Sequence, residues 1–239
     1  MVNNYEILLP VPDDLVSDLR TWAAVVSYSN RWSPISLEIN FPPLDALEFV
    51  SDAAGGLGDE DWVGVASLGL NSSGDLWFLC RGKWPEPILR GQDEKGTSFA
   101  SKMTTLELVG LFLPLLAAPK IVRKRNIILG VDNVSVVFGW ENRSVKGDLT
   151  ASALIRALHL VSCFLECRIF ARHVPRLSSQ ESWLADSLTR ASTTREVSPD
   201  LLEGVTEFEE PEPLWEWLHN PQVDWNLGFK IIDWLKERM

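Results

Sequence analysis

The 239 residues are 46% hydrophobic and 23% charged, which excludes a disordered or fibrous chain and suits one domain of ordinary size with an extension. The net charge of −11 excludes a generally basic surface, but it is uneven: residues 196–239 hold 3 Lys+Arg against 11 Asp+Glu, so the body is near neutral. No run approaches the ~18 apolar residues of a membrane helix.

Residues 1–14 lack a basic stretch ahead of an apolar block, so no secretory leader is expected. Cys80, Cys163 and Cys167 form no Cys-x-x-Cys pair and read as buried thiols. The expected setting is intracellular, nucleus or cytoplasm, without a membrane partner.

In chain order, residues 14–28 place Leu15, Leu19, Trp22, Ala23 and Val26 at helical spacing, before Pro34, Pro42 and Pro43 break the pattern. Residues 46–51 read as a buried strand. Residues 62–70 and 76–84 read as two more, joined by the turn at 71–75. Residues 85–101 read as a loop, and 104–118 as an apolar helix kinked at Pro114. Residues 126–131 read as a strand bounded by Asp132 and Asn133. Residues 149–165 form an amphipathic helix with Asp148 as N-cap, 166–174 a further strand, and 179–191 a short helix. The fourth and fifth strands each follow a helix, as parallel crossovers require. The expected fold is α/β, a five-stranded mixed sheet flanked by helices on both faces. Three parts follow: a helical lead-in over 1–45, the α/β domain over 46–195, and an acidic extension over 196–239. That extension holds Trp215, Trp217, Trp225 and Trp234 and a terminal helix over 228–238. Aromatic residues at that density predict a tail docked on the body or on a partner.

Four carboxylates occupy positions with chemical meaning. Asp52 ends the first strand, Glu107 opens the first core helix, Asp132 ends the fourth strand and Asp186 lies in the last helix. Strand C-terminal ends collect on one edge of such a sheet, where ligand sites form. Four converging carboxylates repel unless a cation lies between them, and hard oxygen donors suit Mg²⁺ or Mn²⁺. Two such ions serve phosphodiester hydrolysis. Each residue also has a purely structural reading. Thr104 to Glu107 fits a capping box with Met103 and Leu108 as its staple, Asp52 and Asp132 fit turns, and Asp186 with Arg190 fits a helical ion pair.

The motifs resemble those of a ribonuclease H domain, specifically that of a retroelement polyprotein of the DIRS-like, reverse-transcriptase-associated kind. They are Ser51-Asp52-Ala53-Ala54, Leu106-Glu107-Leu108, Val131-Asp132-Asn133, His173-Val174-Pro175 and Ala185-Asp186-Ser187-Leu188-Thr189-Arg190, spread over residues 46–192. The flanking Asp18-Leu19-Arg20-Thr21-Trp22 and Trp225-Asn226-Leu227-Gly228-Phe229 are similar to segments of such elements. The chain departs from the pattern at Arg176, where glycine is usual, at Ser182, where asparagine is usual, and in the acidic stretch 58–61.

The resemblance implies a metal-dependent endonuclease cutting the RNA strand of RNA–DNA hybrids, with Asp52, Glu107, Asp132 and Asp186 holding two Mg²⁺ or Mn²⁺ ions. Asn133 would orient the substrate backbone. The basic cluster Lys120, Arg123, Lys124 and Arg125 would grip a phosphate strand, or else form a solvated loop after a helix. Trp77, Trp84 or Trp140 would stack on bases if not simply core. A reverse transcriptase, or another protein met through the extension, is the expected partner. The alternative is a domesticated, catalytically inactive copy serving as a protein–protein scaffold.

Overall fold

A computed structural model describes residues 13–29, 45–55, 63–71, 73–93, 95–176, 178–191, 197 and 200–239. The prolines at 34, 42 and 43 and the acidic stretch 58–61 lie outside the described residues.

Six strands form one mixed sheet in the order β5-β4-β1-β2-β3-β6. They are β1 Leu47–Ala53, β2 Gly64–Leu70, β3 Leu76–Lys83, β4 Asn126–Val131, β5 Arg168–His173 and β6 Thr206–Phe208. β1, β2 and β3 form an antiparallel meander, while β4 pairs parallel to β1 and β5 parallel to β4. This is the mixed arrangement, an antiparallel meander followed by parallel crossovers, that the sequence predicts. The sixth strand corrects the expected five: β6 comes from the acidic extension and pairs parallel to β3, with Phe208 packed 4.9 Å from the Phe78 ring.

The helices are α1 Asp13–Ser29, α2 Glu86–Arg90, α3 Met103–Ala117, α4 Pro119–Val122, α5 Val134–Asn142, α6 Leu149–Phe164, α7 Gln180–Leu188, α8 Glu212–Leu218 and α9 Leu227–Arg238. One of them corrects the sequence reading, and another fills a stretch that reading left unassigned. Residues 85–101, expected as a loop, contain α2 and a 3₁₀ turn at Phe99–Ser101. The valine-rich run after Asn133, which carries strand-like residues, is helical. Asn133 caps it by accepting the Ser135 N–H at 2.9 Å.

α3 is buried on every side from Thr105 to Leu116, because the sheet covers one flank and α6 another. Pro114 lacks an N–H, so the Gly110 carbonyl four residues earlier loses its helical donor. The Ser51 hydroxyl replaces it at 3.1 Å and shares a 2.9 Å hydrogen bond with the Ser67 hydroxyl. Gly110 permits this approach, since a Cβ there would sit 3.0 Å from the Ser51 Cβ. The contact locks α3 onto β1 one helical turn beyond Glu107.

The extension is part of the same body. Leu214, Trp217, Leu218, Leu227, Ile231, Ile232 and Leu235 join the main core. Trp215 lies over Gly82, where a Cβ would come within 1.8 Å of its ring. α9 crosses α6 closely at Gly228, against Ala157. α1 joins there too: the Ser17 hydroxyl donates to the Trp225 carbonyl at 3.2 Å, Asp18 pairs with Arg156, and Arg156 covers the Trp225 ring. Among the described residues, no helix is long and apolar enough to cross a membrane.

Candidate metal centre

The alternation of β1 distributes the site. Phe49 and Ala53 belong to the core shared with α3, and Ser51 bonds to α3. Val50 packs instead with Leu184 and Leu188 of α7. Asp52 follows Val50 onto the α7 side, at the end of the strand. Asp132 leaves the neighbouring end of β4, and Glu107 enters from α3.

Oxygens of Asp52, Glu107 and Asp132 all lie within 4.8 Å of one another. This is the one group of three or more metal-capable side chains among the described residues. Asp186 on α7 shares a small hollow of about 10 Å³ with Asp52, Asp132, Val174, Arg176 and Ser182. That is room for about one water or ion. A much larger cavity, about 640 Å³, lies apart from these carboxylates, between residues 87–102, the start of α6 and residues 219–223.

The electrostatics are those of crowded, dry carboxylates. Burial raises Asp52 to about 7, and the charges of Asp132 and Asp186 push the same way, against a lowering by Arg176. Burial also raises Glu107 well above the usual carboxylate range, aided by Asp52 and Asp132 and opposed by the Ala53 backbone N–H. Glu107 is 1% exposed, and its Oε2 has no hydrogen-bond partner among the described residues. This corrects the capping-box reading. α3 starts at Met103 with Lys102 as N-cap, no side chain bonds across that cap, and Glu107 stands past the first turn, facing inward. A bare buried oxygen among hard carboxylate donors fits a divalent cation.

The remaining assignments fall as follows. The Asn133 side-chain oxygen is engaged in capping α5, which leaves its amide NH₂ to donate. Lys120, Arg123, Lys124 and Arg125 precede β4, at the end opposite Asp132. Arg123 and Lys124 face Glu166 at 3.6 Å and 3.7 Å. The three tryptophans considered for base stacking are packed otherwise. Trp84 is buried and donates to the Ala54 carbonyl at 2.8 Å, Trp140 stacks on His159 at 3.7 Å, and Trp77 packs edge-on to Phe49. Asp186 pairs with Arg176.

Two further residues stand at the site though neither was among the site residues expected from the sequence. His173 Nε2 lies 3.0 Å from the Asp132 main-chain carbonyl and steadies the end of β4. Arg176 stands inside the carboxylate group; its only signal in the sequence was that it replaces a glycine expected after His173-Val174-Pro175.

No protein-family model and no curated protein matches the chain. Similar solved structures include ribonuclease H1 of the halophilic archaeon Halobacterium salinarum, at 19% identity and a TM-score of 0.42, covering 60% of this chain and 93% of that one. LC11-RNase H1, isolated from compost by a metagenomic approach, is similar at 11% identity and 0.40, covering 60% and 92%. The N-terminal RNase H domain of a Mycobacterium tuberculosis protein, solved as a maltose-binding-protein fusion, is similar at 20% and 0.38, covering 59% and 95%. At such identities and TM-scores the likeness adds nothing to the site, whose chemistry is read from its own side chains.

Proposed function

We propose that this chain is a divalent-metal-dependent endonuclease of the ribonuclease H type, cutting the RNA strand of RNA–DNA hybrids. The observation that carries the reading is the convergence of Asp52, Glu107 and Asp132 within 4.8 Å, with one Glu107 oxygen buried and bare. Asp52, Glu107 and Asp132 would hold one Mg²⁺ or Mn²⁺, and Asp186 with Asp52 a second. When bound, such ions act as Lewis acids on the phosphate and lower the pKa of a coordinated water. The chain's own part is to hold these carboxylates dry and oriented. The Ser51–Gly110 contact sets α3 against β1, and His173 steadies the Asp132 backbone. The free amide of Asn133 would donate to the substrate backbone. Any grip by Lys120, Arg123, Lys124 and Arg125 would fall on phosphates remote from the cut. Discrimination for RNA would come through its 2′-hydroxyls.

The motifs and flanking segments support descent from a retroelement polyprotein, with the reverse transcriptase as the natural partner. A second reading, an inactive domesticated scaffold, draws on one observation: Asp186 is already paired with Arg176. One assay separates the two. A labelled RNA–DNA hybrid incubated with Mg²⁺ is expected to be cut by the wild type and left intact by Asp132→Asn. A hybrid uncut by both, at any Mg²⁺ concentration, favours the scaffold.

A further inference from the structure

We infer that Arg176 is a built-in counter-cation that competes with the second divalent ion for Asp186. This rests on the metal-centre reading above and adds a residue to it. Arg176 leaves the end of β5 through Val174 and Pro175, and its guanidinium donates to the Asp186 carboxylate. Its charge also acts on Asp52. Arg176 therefore stands in the same hollow as three of the four carboxylates. The grouping of oxygens reflects this: Asp52, Glu107 and Asp132 draw within 4.8 Å of one another, while Asp186 is turned to the guanidinium.

A guanidinium cannot be deprotonated in a protein, so Asp186 is released by movement of Arg176 and not by titration. Movement is feasible, because the Arg176 side chain is 55% exposed against 19% for Asp186. The two cation positions then differ. The first is assembled without rearrangement, whereas the second opens only in the fraction of molecules whose Arg176 has swung away. Apparent affinity at the second is reduced by that fraction. The paired state also neutralises part of the acidic cluster when little divalent ion is present.

The test is calorimetric titration of the full chain with Mn²⁺, in the wild type, Arg176→Met, Arg176→Lys and Asp186→Asn. The wild type is expected to bind in two unequal steps, and Asp186→Asn in the first alone. Arg176→Met is expected to tighten the second step about fivefold to tenfold, and Arg176→Lys to stay near the wild type. The Mg²⁺ concentration giving half-maximal hybrid cleavage should shift down in parallel for Arg176→Met. An arginine that merely holds the loop would produce neither change. Two-step binding left unchanged or weakened in Arg176→Met overturns this inference and leaves the metal centre standing. No Mn²⁺ binding by any variant overturns both.

Discussion

Asp52 carries a proton in the folded protein that the unfolded chain gives up at lower pH. Its pKa rises from 3.8 to about 7 through burial and the nearby Asp132 and Asp186 charges. Between about pH 4 and pH 7 the folded state therefore binds more protons than the unfolded one, and the metal-free fold loses stability as pH rises through that window. For one fully linked proton the slope is about 1.4 kcal/mol per pH unit. Asp52→Asn removes this slope. In thermal melts with EDTA the variant is expected to gain on the wild type at about pH 8 and to equal it near pH 4. A pH-independent difference between the two would contradict the assignment. Glu107→Gln follows the same logic, since a neutral amide replaces a buried carboxyl that burial and the neighbouring carboxylates hold protonated and whose Oε2 has no partner among the described residues. Chemical denaturation should show metal-free stability unchanged or raised by about 1 kcal/mol. Hybrid cleavage by the same variant should fall by about a hundredfold or more.

Within the elements, the join between α3 and β1 decides whether Glu107 meets Asp52. Ser51 supplies the hydrogen bond that Pro114 withholds from Gly110, so the two residues are energetically coupled. Ser51→Ala is expected to cost about 1–2 kcal/mol, leaving a buried carbonyl unpaired. In a Pro114→Ala background, residue 114 regains its N–H and the same change should cost less than about 0.5 kcal/mol. A double-mutant cycle by urea denaturation measures this, and strict additivity would refute the coupling.

Much of the element pattern was legible in the sequence. β4 spans 126–131 as expected, and β1 differs from the expected 46–51 by a residue or two. α5 was not legible, because Val134, Val136 and Val137 carry strand-like propensity that the Asn133 cap and tertiary packing override. β6 was hidden because three residues, Thr206 to Phe208, form a strand only where the β3 edge is present to pair with them. The convergence of Asp52, Glu107 and Asp132 was legible because Asp52 and Asp132 lie at neighbouring strand ends. The Arg176–Asp186 pair was not, since nothing in local spacing says which charge a loop delivers to which helix.

At the level of the whole molecule, the acidic extension completes the sheet edge and the core, so the three-part division seen in composition is not a division of packing. Trp217 and the inward face of α9 are buried, and β6 covers the edge that β3 would otherwise expose. Truncation after residue 203 is accordingly expected to yield a chain that aggregates or loses its cooperative melt, read by size-exclusion chromatography and near-ultraviolet circular dichroism. A soluble, cooperatively melting fragment would contradict this integration. The same frame holds the β1 and β4 ends side by side and brings α3 against them, which is what gathers the acidic oxygens. The most direct test is a crystal of the full chain soaked in Mn²⁺ and measured for anomalous scattering. The expected result is a peak about 2.1 Å from carboxylate oxygens of Asp52, Glu107 and Asp132, joined at higher Mn²⁺ by a second beside Asp186 as Arg176 withdraws. Featureless anomalous density at these carboxylates, at a Mn²⁺ concentration that saturates other acidic sites, would contradict it.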